Sequence, residues 1–225
     1  MNKDLFVLVI GHARSGTSLC AGLLSESPEM EIGLEINNLS LTRTKRSGVG
    51  FPEELTGNKI CVLSGLYHYR VIECVEEKKE IMHNKWKNLK VVFTKRNVIS
   101  SMVSKKFREA GKGNNLEFSD IVMDYAICEK KIVELKKYFK DFFVFDFDKA
   151  IFSWEYAKKM FEYVGVEYDK KYFIGFTNLK NYKYGKGICP GFVQFGMPNK
   201  CEDERIKFEE LTQLYEPWLL NEFIR

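Results

Sequence analysis

Gly11-His-Ala-Arg-Ser-Gly-Thr-Ser18 decides how the rest of this 225-residue chain is read. The apolar run Leu5-Phe-Val-Leu-Val-Ile10 stands before it and Leu19-Cys-Ala-Gly-Leu-Leu24 follows it. A short β-rich run, a glycine loop and an apolar helical stretch are the parts of a phosphate-cradling turn. Gly11 and Gly16 let the backbone curl until successive N–H groups point at one anion. The helix expected from about Thr17, ending before Pro28, adds its open N–H groups and the positive end of its dipole.

The spacing nearly spells the triphosphate-binding pattern G-x-x-x-x-G-K-[ST]. Gly11 and Gly16 are in place and Ser18 holds the Ser/Thr position, but Thr17 replaces the lysine. That lysine reaches the β- and γ-phosphates of a nucleoside triphosphate. Here the cation lies inside the loop, as Arg14. Such a site suits a shorter anion, a 5′-phosphate carrying one more charged group.

The run Arg14-Ser-Gly-Thr-Ser18 after a first strand resembles the 5′-phosphosulfate loop of sulfotransferases that use 3′-phosphoadenosine-5′-phosphosulfate (PAPS). In that family an arginine at the end of a later strand and a serine eight residues on, in the next helix, bind the 3′-phosphate. This chain reads Leu89-Lys-Val-Val-Phe-Thr-Lys-Arg96 and then Asn97-Val-Ile-Ser-Ser-Met-Val-Ser104, so Arg96 and Ser104 have that spacing. Val98 stands where the family usually has proline. The planar fork of Arg96 suits bidentate phosphate contact, and a helix-cap salt bridge is its other reading.

The resemblance implies further residues. Arg14, Ser15, Gly16, Thr17, Ser18, Arg96 and Ser104 are expected to bind PAPS, with His12 touching it from inside the loop. Many sulfotransferases hold an acceptor-facing glutamate just past the first helix. Here that region is Glu29-Met-Glu-Ile-Gly-Leu-Glu-Ile36, and Glu35 is the candidate general base. A solvated glutamate, or a helix-start carboxylate before Asn37–Leu41, is the alternative. His68, in Leu66-Tyr-His-Tyr-Arg70, is the second candidate base, with an ordinary helix histidine as its other reading. Lys59 is matched to a family lysine beside the acceptor, although Ile60 and Cys61 replace the family's threonine and proline. Tyr184-Gly-Lys-Gly187 is matched to the loop that closes over the 3′-phosphate, with Lys186 and Gly187 as its ligands.

Composition bounds the reading. Hydrophobic residues at 45% and charged residues at 29% are those of an ordinary globular protein. A net charge of +4 fits an anionic ligand without singling out nucleic acid, and no nucleic-acid motif accompanies it. Leu5–Ile10 is too short for the apolar core of a signal peptide, and no stretch nears the ~20 apolar residues of a membrane span. The six cysteines form no C-x-x-C pair, so zinc is not expected, and reduced thiols in the cytoplasm are. No metal is expected in the chemistry, because the cationic loop takes that part.

No internal repeat or linker divides the chain, so residues 1–225 are read as one domain. Strands are expected over Leu5–Ile10, Lys59–Leu63, Lys90–Thr94 and Phe142–Phe147. A long amphipathic helix is expected over about Ser119–Phe139, capped by Ser119, with Ile121, Tyr125, Cys128, Ile132, Leu135 and Phe139 buried. Another starts at a Ser153 cap and stops at Gly165. Val71–Trp86 and Glu202–Phe223 also read as helical. Arg43, Lys45 and Arg46 lie in a basic loop, and Lys180–Lys200 shows no regular element. Apolar strands between helices imply a three-layer α/β fold like that of P-loop NTPases, its mostly parallel sheet of about four to five strands covered on both faces. The ligand belongs at the carboxyl ends of the strands.

The function this implies is transfer of the sulfuryl group of PAPS to a hydroxyl or amine of a saccharide or small metabolite, releasing adenosine 3′,5′-bisphosphate. Two rivals stand beside it: a P-loop kinase of small metabolites and a non-catalytic nucleotide-binding module.

Overall fold

The computed structural model describes residues 5–36, 57–63, 66, 88–110, 113–150 and 153–172. The helical readings over 71–86 and 202–223, the basic loop at 43–46, and His68, Lys186 and Gly187 lie outside the described residues.

Strands β1 (Leu5–Ile10), β2 (Glu31–Ile36), β3 (Lys59–Leu63), β4 (Asn88–Lys95) and β5 (Phe143–Asp146) form one sheet in the order β2-β3-β1-β4-β5. Every neighbouring pair is parallel. Helix α1 (Thr17–Leu24) follows β1, and α2 (Val98–Ala110) and α3 (Phe118–Tyr138) follow β4. Helices α4 (Phe147–Ala150) and α5 (Trp154–Val164) follow β5. None of the described helices is long and apolar enough to cross a membrane.

The central strand explains the layering. Successive side chains of β1 alternate between faces, and both faces are apolar. Val7 and Val9 join α1 and α5 in one core, with Leu23, Ala157 and Phe161. Phe6, Leu8 and Ile10 join α3 in another, with Cys128, Ile132 and Leu135. Each fully buried Phe or Ile contributes about 1.5–3 kcal/mol of burial. A third cluster, with Val98, Met102, Ile121 and Tyr125, packs α2 against α3.

The sequence expectations are largely met, and the departures have local causes. The long helix starts one residue earlier than expected, with Glu117 rather than Ser119 at its N-cap and no side-chain cap bond. The expected buried stripe of α3 is buried throughout. Ser153 caps α5 by accepting from the Tyr156 N–H at 3.2 Å, and Gly165 ends it in left-handed backbone at φ 84°. The last described strand is shorter than expected, because Phe147 already starts the single turn α4. Strand β2 was not expected: its glutamates and Gly33 hide the alternation, and its register with β3 shifts between Ile32 and Leu34. Glu35 therefore lies in a strand, not at a helix start.

Candidate functional site

The topology selects one place on the sheet. From β1 the chain enters α1, on the face that α1 shares with α5. From β4, the neighbour of β1, it passes through α2 into α3, on the opposite face. Two adjacent parallel strands whose connections leave to opposite faces make a crevice at their carboxyl ends, where ligands of α/β sheets bind. The loop 11–18 and Arg96 both lie there.

The loop is fixed from beneath. A Cβ on Gly11 would stand 1.9 Å from Thr94 Oγ1 and 2.6 Å from Ser15 Oγ, so only glycine fits over the end of β4. Ser15 is buried, at 1% exposure. Its N–H and its hydroxyl both donate to the His12 carbonyl, at 3.1 and 2.8 Å, and its Oγ lies 2.6 Å from Thr94 Oγ1. Ser15 thus shapes the loop from within, its N–H and hydroxyl both bonded inside the chain. Gly16 is left-handed at φ 94°, and a Cβ there would meet Phe147 Cδ2 at 2.5 Å. It begins α1 without a side-chain cap bond.

Arg14 adopts left-handed backbone at φ 72°, the only described non-glycine residue with positive φ. That conformation costs about 1–2 kcal/mol for a residue with a Cβ and persists where neighbours enforce it. Arg14 Nε donates to Ser104 Oγ of α2 at 3.0 Å. Arg96 Nη1 donates to the Arg14 carbonyl at 3.3 Å. Arg14 therefore touches both the strand-end arginine, through its carbonyl, and the helix serine, through its side chain.

Arg96 lies over the Phe147 ring, its guanidinium carbon 4.4 Å from the centroid. Burial pulls its pKa below the ordinary arginine range, and the charge of Asp148 opposes that shift. Its Nε is buried without a hydrogen-bond partner. Asp148 accepts from the Asn97 N–H at 2.7 Å and so ties α4 to the turn that carries Arg96.

Other expected residues fall elsewhere. His12 is 6% exposed and turns toward α3, with Nε2 2.7 Å from Glu129 Oε1, so that nitrogen is engaged within the chain, while Nδ1 is buried without a hydrogen-bond partner. Lys59 starts β3 in register with Phe6 of β1 and forms an ion pair with Glu31. It sits about 13 Å of strand away from the carboxyl end, at ~3.3 Å per residue, at the opposite end of the strand from the loop 11–18. Glu35 lies near the carboxyl end of β2, in register with Val62 of β3 and through it with Val9 of β1. Thr94, Tyr125, Phe147 and Asp148 were not expected at the site. All four are anonymous in sequence, since strand-end, helix-stripe and one-turn residues acquire a role only when the sheet brings them together.

No protein-family model and no curated protein sequence matches the chain. Solved structures do. The sulfotransferase domain of the Synechococcus PCC 7002 olefin synthase superposes with a TM-score of 0.55 at 9% identity, covering 89% of this chain and 84% of that one. Mouse sulfotransferase SULT7A1, solved in complex with PAP, gives 0.53 at 12% identity, covering 83% and 68%. A sulfotransferase from Alicyclobacillus acidocaldarius gives 0.50 at 13% identity, covering 93% of each chain. The overall architecture is thus shared with these proteins: the chain has the sulfotransferase fold.

Proposed function

We propose that the protein is a sulfotransferase that moves the sulfuryl group of PAPS to a hydroxyl or amine, with saccharides and small metabolites as the acceptor classes. The observation that carries this reading is the convergence of Arg14, Ser104 and Arg96 at the switch point, from segments 82 to 90 residues apart. The residues also fit the ligand's charge. A half-buried guanidinium whose buried Nε has no partner favours an anion that supplies the missing acceptor. The neighbour solved with PAP supports the same ligand class.

When bound, PAPS supplies an activated sulfuryl group on a 5′-phosphate. In this reading Arg14 and the N-terminus of α1 stabilise the charge that grows on that phosphate as the acceptor displaces it. Gly16, Thr17 and Ser18 form the turn that presents this helix end. Arg96 and Ser104 hold the 3′-phosphate. Ser104 Oγ accepts from Arg14 and keeps its own proton to donate to a phosphate oxygen. Glu35 takes the acceptor proton. Its strand lies two places from β1, about 10 Å at ~4.8 Å per strand, which leaves room for an acceptor between them. His68 is the second candidate base, and Lys186 and Gly187 are the candidate closing ligands.

Calorimetric titration with adenosine 3′,5′-bisphosphate, in parallel with ATP and Mg²⁺, tests this. The bisphosphate is expected to bind, and Arg96→Ala to weaken it at least tenfold. Preference for ATP, or an affinity indifferent to Arg96, would overturn the reading.

A further inference from the structure

The left-handed Arg14 needs an external constraint, and helix α3 supplies one. Tyr125 is buried and its hydroxyl donates to the carbonyl of Ala13, the residue directly before Arg14. Its ring lies parallel to that of His12, with centroids 5.0 Å apart and an interplanar angle of 11°. One helical turn on, Glu129 Oε1 sits 2.7 Å from His12 Nε2. A carboxylate only accepts, so the imidazole carries its proton on Nε2 and donates it. Lys105 of α2 steadies the same region through Asp124 at 2.6 Å, its Nζ lying 5.9 Å from the Tyr125 ring centroid.

These contacts have a common geometry. Tyr125 holds the carbonyl before Arg14, Arg96 holds the carbonyl after its Cα, and Ser15 is fixed to Thr94. The two peptide groups that define the backbone of Arg14 are thereby fastened to two different elements. With both fastened, the residue cannot relax to right-handed backbone without breaking a half-buried hydrogen bond. Relaxation would swing the guanidinium away from Ser104.

We infer that Tyr125 and Glu129 are positioning residues: through Ala13 and His12 they hold the loop in the conformation that aims Arg14 at its anion. The role of that anion rests on the function proposed above. The clamp itself rests only on the contacts within the chain.

The test uses Tyr125→Phe, Glu129→Ala and Glu129→Gln in the full chain. Tyr125→Phe keeps the ring stack and removes one hydroxyl. Glu129→Gln keeps an acceptor for His12, whereas Glu129→Ala removes it. Amide hydrogen exchange of peptides covering residues 11–18 is compared with that of peptides from α5. Tyr125→Phe and Glu129→Ala are each expected to speed loop exchange roughly tenfold, about 1.4 kcal/mol, with α5 unchanged and Glu129→Gln close to wild type. Adenosine 3′,5′-bisphosphate affinity should fall with the same ranking. Unchanged loop exchange in both disruptive variants would overturn the inference. So would loop exchange that rises only in step with α5, because that marks general destabilisation. If the wild type binds no bisphosphate while the exchange pattern holds, the proposed function fails and the clamp stands.

Discussion

Replacing Gly11 with alanine tests the packing on which the whole site rests. Its φ is not positive, so the substitution carries no left-handed strain and the effect is one of space. The new methyl would lie 1.9 Å from Thr94 Oγ1, 2.6 Å from Ser15 Oγ and 2.9 Å from Thr17 Cγ2. All three residues are at most 4% exposed, so none can swing into solvent. Overpacking of this kind costs about 1–3 kcal/mol. Making room also requires Thr94 to abandon its 2.6 Å bond to Ser15; Ser15 keeps its bond to the His12 carbonyl and Thr94 its bond to the Ile10 carbonyl, so the further cost is that of one hydrogen bond, about 0.5–1.5 kcal/mol. Together they predict a loss of about 1.5–4.5 kcal/mol, read as a fall in the urea midpoint. Thr94→Ala removes the nearest obstacle and gives up the same hydrogen bond in advance. The double variant should therefore lose at least about 1 kcal/mol less than the sum of the singles. A loss under ~1 kcal/mol for Gly11→Ala, or strict additivity with Thr94→Ala, would refute the argument that Gly11 is fixed by contact with β4.

Three further expectations follow from the same geometry. Arg14→Ala should lower turnover about 10²–10³-fold if the guanidinium stabilises the leaving group. Alanine inherits the same left-handed backbone cost as arginine, so stability should change little, and unaltered turnover would remove Arg14 from the chemistry. Glu35→Gln should lower turnover about 10²–10⁴-fold while leaving bisphosphate affinity in place; activity near wild type would move the base role to another residue such as His68. Burial pushes the Cys128 thiol up to about 12 from an ordinary 9.0. Between those values the unfolded chain gives up a proton that the folded chain keeps. Stability should thus decline as pH rises above 9, by about 1.4 kcal/mol per unit for such a group, and Cys128→Ala should flatten that part of the curve.

Much of the fold was legible because β1 carries its instructions locally. Leu5–Ile10 is apolar on both faces, which means a central parallel strand, and the glycine loop behind it means a turn into a helix. The position of Arg96 and Ser104 beside the loop was legible for a different reason, a fixed spacing across a strand end and a helix. β2 was not legible, since a six-residue edge strand with two glutamates and a bulge reads as a polar connection. The inward turn of Ser15 and His12 was hidden as well. Nothing in the loop sequence says which residues face the ligand and which face Thr94 or Glu129, because their partners lie 79 and 117 residues away. Lys59 shows the opposite case: a matching residue type at a plausible position, placed by its strand register at the opposite end of the strand from the loop 11–18.

The pairing of β1 with β4 has a consequence for how the protein acquires its site. Arg14 and Ser104 are 90 residues apart in sequence, so their meeting is a long-range event whose loop-closure entropy must be met before any contact repays it. A chain that has formed β1, the glycine loop and α1 alone has half a cradle. Ligand competence should accordingly arise late in refolding, with the central pairing rather than with local helix formation. The same bridging makes an anion at this place a cross-link between the two halves of the sheet. By mass action it would stabilise the native state as a whole, by RT ln(1 + [L]/Kd), rather than the loop by itself.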